Sequence, residues 1–220
     1  MANTSNTIAG QIEDMQKDSP AMPEGIANIF ATEQARLRQV SPRAAIALAD
    51  KVNDISLLDV HGAETTLSEA TTGRPTVVVL YRGAWCPYCN LTLRTYQQHL
   101  LPALVDRTVG LIAISPQAPD GSLSSAEKNA LAYPVLSDPG NQLARQLGIL
   151  TAPSAEAQAV QQQLGLDLAV VNADGTAELP MPSTLILDGG LRMRWVDVHP
   201  DYSTRSEVAD ILDALDNLDL

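Results

Sequence analysis

Two hydrophobic periods divide the chain near residue 50. Before it, Ile8, Ile12 and Met15 recur at spacings of four and three, and Ile26, Ile29, Phe30, Leu37 and Val40 build a second apolar face after Pro23. Pro20, Pro23 and Pro42 punctuate these pieces. The pattern predicts a helical arm over residues 1–50, packed on the main body or on a partner subunit. From about Lys51 short apolar runs alternate with helical periods. "ISLLDVHG" predicts a strand ending in a turn, and "PTVVVLY", almost wholly apolar and β-branched, a strand buried on both faces. Pro87 to about Leu101 predicts a helix with Leu91, Tyr96, Leu100 and Leu104 near one side. "TVGLIAIS" is a second buried strand, and "SSAEKNALA", "NQLARQLG" and "AEAQAVQQQLG" are short helices. "LAVVNADGTAEL" suggests a hairpin around Asp174-Gly175, and "STLILDGGLRMRWVDV" two strands joined at Asp188-Gly189-Gly190. The last helix carries Val208, Ile211, Leu212, Leu215 and Leu218 on one face. The order predicts an α/β fold, a mixed sheet covered by helices on both faces, in one main domain over 51–220.

Composition narrows the function classes. The 220 residues are 45% hydrophobic, which suits a packed core. A net charge of −12 repels phosphate backbones, so nucleic-acid binding is not expected. No apolar run approaches membrane-spanning length, and "MANTSNTIAGQIEDMQ" has neither the basic region nor the apolar core of a secretory signal. The expected location is the cytoplasm, where a close cysteine pair points to catalysis or metal binding rather than a structural staple.

That pair is Cys86 and Cys89, the only cysteines of the chain. They follow a buried strand and a short "RGAW" turn, and Pro87 suits the first turn of a helix. Cys86 then sits at the helix start, where free N–H groups and the macrodipole favour a thiolate, and Arg82 adds positive potential. Cys89 lies one turn on, within reach of a disulfide. One thiol would attack and the other resolve. Zinc would need further ligands, and His61, His99 and His199 share no ligand spacing with the pair, so surface or packing roles suit them better. Trp85 and Tyr88 either shape a substrate surface or pack beside the helix start.

The motif "WCPYC" resembles the active site of thioredoxin-fold oxidoreductases. The segments "PTVVVLYRGAWCPYCNLTLR", "LIAISPQAPDGSLSSAEKNALAYPVLSDPGNQLARQLGI", "LPMPSTLILD" and "VDVHPDYSTRSEVADILDAL" together resemble the peroxiredoxin-like branch of the alkyl hydroperoxide reductase/thiol-specific antioxidant family, from about Lys51 to Leu215. The resemblance implies a thioredoxin-like fold and a thiol peroxidase. Its peroxide or disulfide substrate would be reduced without an organic or metal cofactor. A thioredoxin-type or low-molecular-weight thiol would restore the enzyme, and a homodimer is compatible with it. The family pattern sets Arg82 where a Pro is usual, Cys86 in the place of a Thr and Cys89 in the peroxidatic place. Pro182 stands near the usual activating Arg and looks like the cis-proline of thioredoxins. The buried acid of thioredoxins falls on Leu80. The helix-terminus argument favours Cys86 as the attacking thiol of lower pKa, and the family pattern favours Cys89. The reading adopted from the sequence is Cys86 attacking and Cys89 resolving. It expects a Cys86–Cys89 disulfide on oxidation, a cis Met181–Pro182 bond beside Cys86, and Arg82 either polarising peroxide or salt-bridged in its loop. A thioredoxin-like disulfide reductase and a redox-sensing binding protein without turnover are the alternatives.

Overall fold

A computed structural model describes residues 7–40 and 47–219, so the break expected at Pro42 lies outside the described residues. Two helices come first, α1 (Ile8–Asp18) and α2 (Glu24–Arg38). The Thr7 hydroxyl starts α1 by accepting the Gly10 N–H at 3.1 Å. Ile8 and Ile12 of α1 are buried, whereas Ile26, Ile29 and Phe30 of α2 are only half-buried.

The expected first strand is a hairpin, β1 (Ser56–Leu58) with β2 (Glu64–Thr66), because the Asp59 carboxylate accepts the N–H groups of His61 and Ala63 and closes the turn. Helix α3 (Leu67–Thr71) starts on a Thr66/Glu69 capping box. Strand β3 (Thr76–Leu80) leads into α4 (Pro87–Thr95), which continues through a π-helical turn (Tyr96–Leu100) into α5 (Leu101–Asp106). Then come β4 (Gly110–Ser115), α6 (Pro119–Lys128), β5 (Val135–Ser137), α7 (Gln142–Leu147), β6 (Leu150–Thr151) and α8 (Ala155–Gln163). The chain closes with α9 (Leu168–Val171), β7 (Leu179–Pro180), β8 (Ser183–Leu187), β9 (Met193–Val198) and α10 (Val208–Asp216).

The main sheet has the order β2-β1-β5-β4-β3-β8-β9. Strands β3, β4 and β5 run parallel, and β8, β9 and β1 join antiparallel. Every residue of β3 is buried, as its apolar run predicts. Val77 and Val79 face a core with α1, α4, α5 and α10, while Val78 and Leu80 face a second core with α7, β1 and β8. No described helix is long and apolar enough to cross a membrane.

The hairpin expected at Asp174-Gly175 does not form. Asp167 caps α9 through the Ala169 N–H, Asp174 takes the Thr176 N–H and hydroxyl, and the Asn172 amide donates to the Thr176 and Glu178 carbonyls. These local bonds hold a loop, and β7 pairs with β6 instead. The buried Tyr81, Ser115 and Ser125 hydroxyls form one cluster, in which Tyr81 meets both serines without a well-aligned hydrogen bond, beside a formed Ser122–Ser137 bond of 2.8 Å.

Candidate active site

The turn from β3 to α4 fixes the two cysteines. Gly83 has φ +144°, and a Cβ there would meet the Trp85 indole nitrogen at 2.6 Å and the Gln117 side chain at 2.8 Å, so only glycine fits. The Gln117 side chain accepts the Ala84 N–H, and the Asn90 amide donates to the Ala84 carbonyl at 2.7 Å. Asn129 donates to Asn90 at 3.0 Å, and Arg94 donates to Asn129 at 3.1 Å. This chain of amides ties the turn to α6.

Cys86 is the N-cap of α4 and Pro87 is its first residue, as the sequence predicts. The cap carries no side-chain bond to the helix backbone, and Pro87 has no N–H to offer. The two thiols are unbridged, each only 1% exposed. Their surroundings reverse the expected order of acidity. Burial pushes the Cys86 thiol up, and its S–H is engaged with Cys89, which raises it further. Burial opposes ionisation of Cys89 as well. It is outweighed by the hydrogen bond from Cys86, the charge of Arg205 and the backbone N–H of Arg82, which together hold Cys89 well below an ordinary thiol. Arg205 Nη2 donates to Cys89 Sγ at 3.1 Å, and Arg205 Nη1 to the Tyr202 carbonyl at 2.6 Å. The expectation that Cys86 has the lower pKa finds no support in this geometry: Cys86 caps α4 without a side-chain bond to the helix backbone, while Cys89 receives the Cys86 S–H and the Arg205 guanidinium.

Arg205 was not legible as a site residue. It lies 116 residues from Cys89, in the loop before α10. The only sequence signal is an isolated basic residue in the polar run "PDYSTRSE" of a strongly acidic chain. Arg82 is not salt-bridged among the described residues. Its guanidinium lies 4.8 Å from the Trp85 ring centroid and 4.4 Å from that of Tyr202. Burial pushes Tyr202 up to about 12, so it stacks as a neutral phenol, 6.0 Å from the Tyr88 ring.

A cavity of about 660 Å³ opens beside Cys86. Arg82, Trp85, Tyr88 and Pro182 line it on the thiol side, and Met15, Phe30 and Leu37 come from the two N-terminal helices. Gln161 of α8 lines it too, 8% exposed, with its amide oxygen unpartnered. Pro182 therefore shares a wall with Cys86. The Met181–Pro182 bond is trans, against expectation: no described peptide bond is cis. The trans form is the intrinsically favoured one, and here the chain passes from β7 to β8 with only Met181 and Pro182 between them. Pro87 is exposed, as are His61 and His99. His199 instead bonds Asp197 at 2.9 Å and Thr204 at 2.8 Å. No group of three or more potential metal ligands occurs among the described residues.

The model of the AhpC/TSA family matches residues 48–196, a span holding both cysteines, the sheet from β1 to β8 and most of β9. The chain belongs to the AhpC/TSA family. It is accordingly a peroxiredoxin-like, thiol-based antioxidant oxidoreductase with thiol-dependent peroxidase activity. Solved structures with similar folds include the peroxidoxin BcpB of Mycobacterium tuberculosis, 20% identical, with 78% of this chain and 95% of that one covered at a TM-score of 0.57. A peroxiredoxin-like protein of Aquifex aeolicus is 12% identical over 80% of this chain and 89% of its own, at 0.61. AhpC of Enterococcus faecalis is 16% identical over 78% and 91%, at 0.57. At these identities the likeness speaks for the fold alone. No curated protein sequence matches the chain. The family match ends at residue 196, before Arg205 and the loop that carries it.

Proposed function

We propose that this AhpC/TSA protein reduces organic hydroperoxides through Cys89, with Cys86 as the resolving thiol. The Arg205 contact on Cys89 Sγ carries this reading. The Cys89 thiolate attacks the terminal oxygen of the hydroperoxide. The O–O bond breaks, and the alkoxide leaves and takes a proton from water. Cys89 is then a sulfenic acid. Attack by the Cys86 sulfur forms the Cys86–Cys89 disulfide, releasing water. Two electrons from a thioredoxin-type or low-molecular-weight thiol restore both thiols. Arg205, bonded to Cys89, offers a donor to the peroxide oxygens, and the nearby Arg82 adds positive charge. The cavity beside Cys86 supports an organic substrate, because hydrogen peroxide would leave most of about 660 Å³ empty; Cys86 lines it and Cys89 does not, so this reading requires the peroxide group to pass Cys86 to reach Cys89. The same reading treats residues 1–50 as an arm on a body of 51–220 and places the chain in the reducing cytoplasm. A second reading, disulfide reduction by the same dithiol, is supported by the place of Pro182 on the cavity wall beside Cys86, while its trans bond departs from the thioredoxin pattern.

Single-turnover stopped flow on the reduced protein with hydrogen peroxide, cumene hydroperoxide and a model disulfide tests both. Cys86→Ser should react once with hydroperoxide and stop as a trappable sulfenic acid, while Cys89→Ser should not react. The opposite pattern would return the attacking role to Cys86. Fast reaction with the disulfide alone would establish the second reading.

A further inference from the structure

The loop that carries Arg205 is held on its outer side by helices from the other end of the chain. It runs from Pro200 to Glu207, between β9 and α10. At one end the Asp201 carboxylate accepts Arg38 Nε at 2.6 Å and Gln34 Nε2 at 3.2 Å, both from α2. At the other end the Glu207 carboxylate accepts the N–H groups of Ile8 and Ala9, each at 2.8 Å, and so caps α1. Between these clamps lie Tyr202, stacked on Arg82, and Arg205, on Cys89 Sγ. The inner side is held separately: the Tyr96 hydroxyl donates to the Ser206 carbonyl at 2.7 Å, and Ser206 Oγ to Asp197 at 2.8 Å.

We infer that the two N-terminal helices set the position of Arg205, with Asp201 and Glu207 as positioning residues that couple the docking of those helices to the Cys89 thiolate. This rests on the reading of Cys89 as the attacking thiol. The physical argument is one of reach. A guanidinium acts on a thiolate over a hydrogen-bond distance, and its contribution falls steeply once water enters between them. The Arg205 side chain leaves a backbone whose flanking carboxylates are bonded to α1 and α2. Release of either end lets the loop relax, and Arg205 then exchanges the sulfur for solvent. The other groups facing Cys89 are Cys86 on the same turn and Arg82 and Tyr81 at the end of β3. None of these is attached to the clamps except Arg82, through the Tyr202 ring. Loss of the carboxylate clamps alone, with Ile8 and Ile12 still packed in the core beside α4, would therefore weaken the field at Cys89 while leaving α4 and both cysteines in place.

The test is titration of the thiolate absorbance of the reduced full chain, with wild type, Arg38→Ala, Glu207→Gln and the double variant. Arg38 is 57% exposed, so its truncation should leave the fold intact, and circular dichroism checks this. The low-pH thiolate step should move upward in each single variant, and by about one pH unit in the double. That is about a tenfold loss of thiolate below the midpoint, with a matching loss in first-turnover rate. Arg38→Lys should restore the wild-type midpoint if the ion pair is what matters. Cys89→Ser and Cys86→Ser identify the titrating thiol. Loss of the step in Cys86→Ser would overturn the underlying reading and this inference with it. Loss only in Cys89→Ser, with clamp variants titrating like wild type, would overturn the inference alone.

Discussion

Cys86 and Cys89 sit one turn apart yet feel opposite fields, because Cys86 caps the helix with no helix N–H bonded to its sulfur, and Cys89 receives both the Cys86 S–H and a guanidinium. Removing that guanidinium should be costly. Hydrogen bonds to charged groups contribute roughly 1.5–3 kcal/mol, so Arg205→Met should raise the Cys89 midpoint by about one to two pH units. The same depressed pKa links folding to pH. Cys89 is more acidic folded than unfolded, so its thiolate stabilises the fold fully above the unfolded-state pKa. That contribution is lost as pH falls through the folded one. The stability difference between wild type and Cys89→Ser should therefore grow as pH rises through this window, measured by urea unfolding at a series of pH values. Cys86, pushed the other way, should show the opposite trend. At this scale the sequence displayed the thiols, Trp85, Tyr88 and Pro182, since they lie in or near recognisable local motifs. It hid Arg205, because a contact across 116 residues leaves no period or spacing to read.

The helix after the cysteines was legible as one apolar stripe, and Leu91, Tyr96, Leu100 and Leu104 are all buried. The π-helical turn within it was not, since one widened turn leaves the stripe in place. That turn begins at Tyr96, whose hydroxyl holds the Ser206 carbonyl. Tyr96→Phe should leave that carbonyl without its partner and cost about 1–3 kcal/mol in urea unfolding. It should also raise the Cys89 midpoint, since Ser206 adjoins Arg205. The strands were read correctly where β-branched runs are continuous, as in β3, β4 and β8. Asp174 misled, because the Asp-Gly pair is as good a loop closer as a hairpin turn when neighbouring side chains take the backbone bonds.

Across the whole molecule, the alternation along β3 feeds two cores, one containing both cysteines and the other closing the far face of the sheet. The α1 and α2 helices complete the cavity over the first. Phe30 of α2 is only half-buried and lines that space. Phe30→Ala should therefore cost less stability than the 3–5 kcal/mol or so typical of core Phe truncation. It should raise KM for cumene hydroperoxide while leaving the rate with hydrogen peroxide unchanged; equal effects on both would show that Phe30 does not meet the substrate. The general α/β plan was readable because it depends on local periods. The cavity was not, because its walls come from segments far apart in sequence.

The hydroxyls of Tyr81, Ser115 and Ser125, which meet one another without well-aligned bonds, leave room for a more heat-resistant chain on the same backbone. Each buried hydroxyl gives up water for a poorly aligned contact with its neighbours, and an apolar side chain of the same shape would avoid that loss. Tyr81→Phe and Ser125→Ala are thus routes to a hardier protein that leave Cys86, Cys89 and Arg205 in place. Calorimetry should show a melting temperature a few degrees higher, with the first-turnover rate preserved. A fall in melting temperature would mean that these hydroxyls satisfy one another, and that the cluster beside the cysteines is a bonded network.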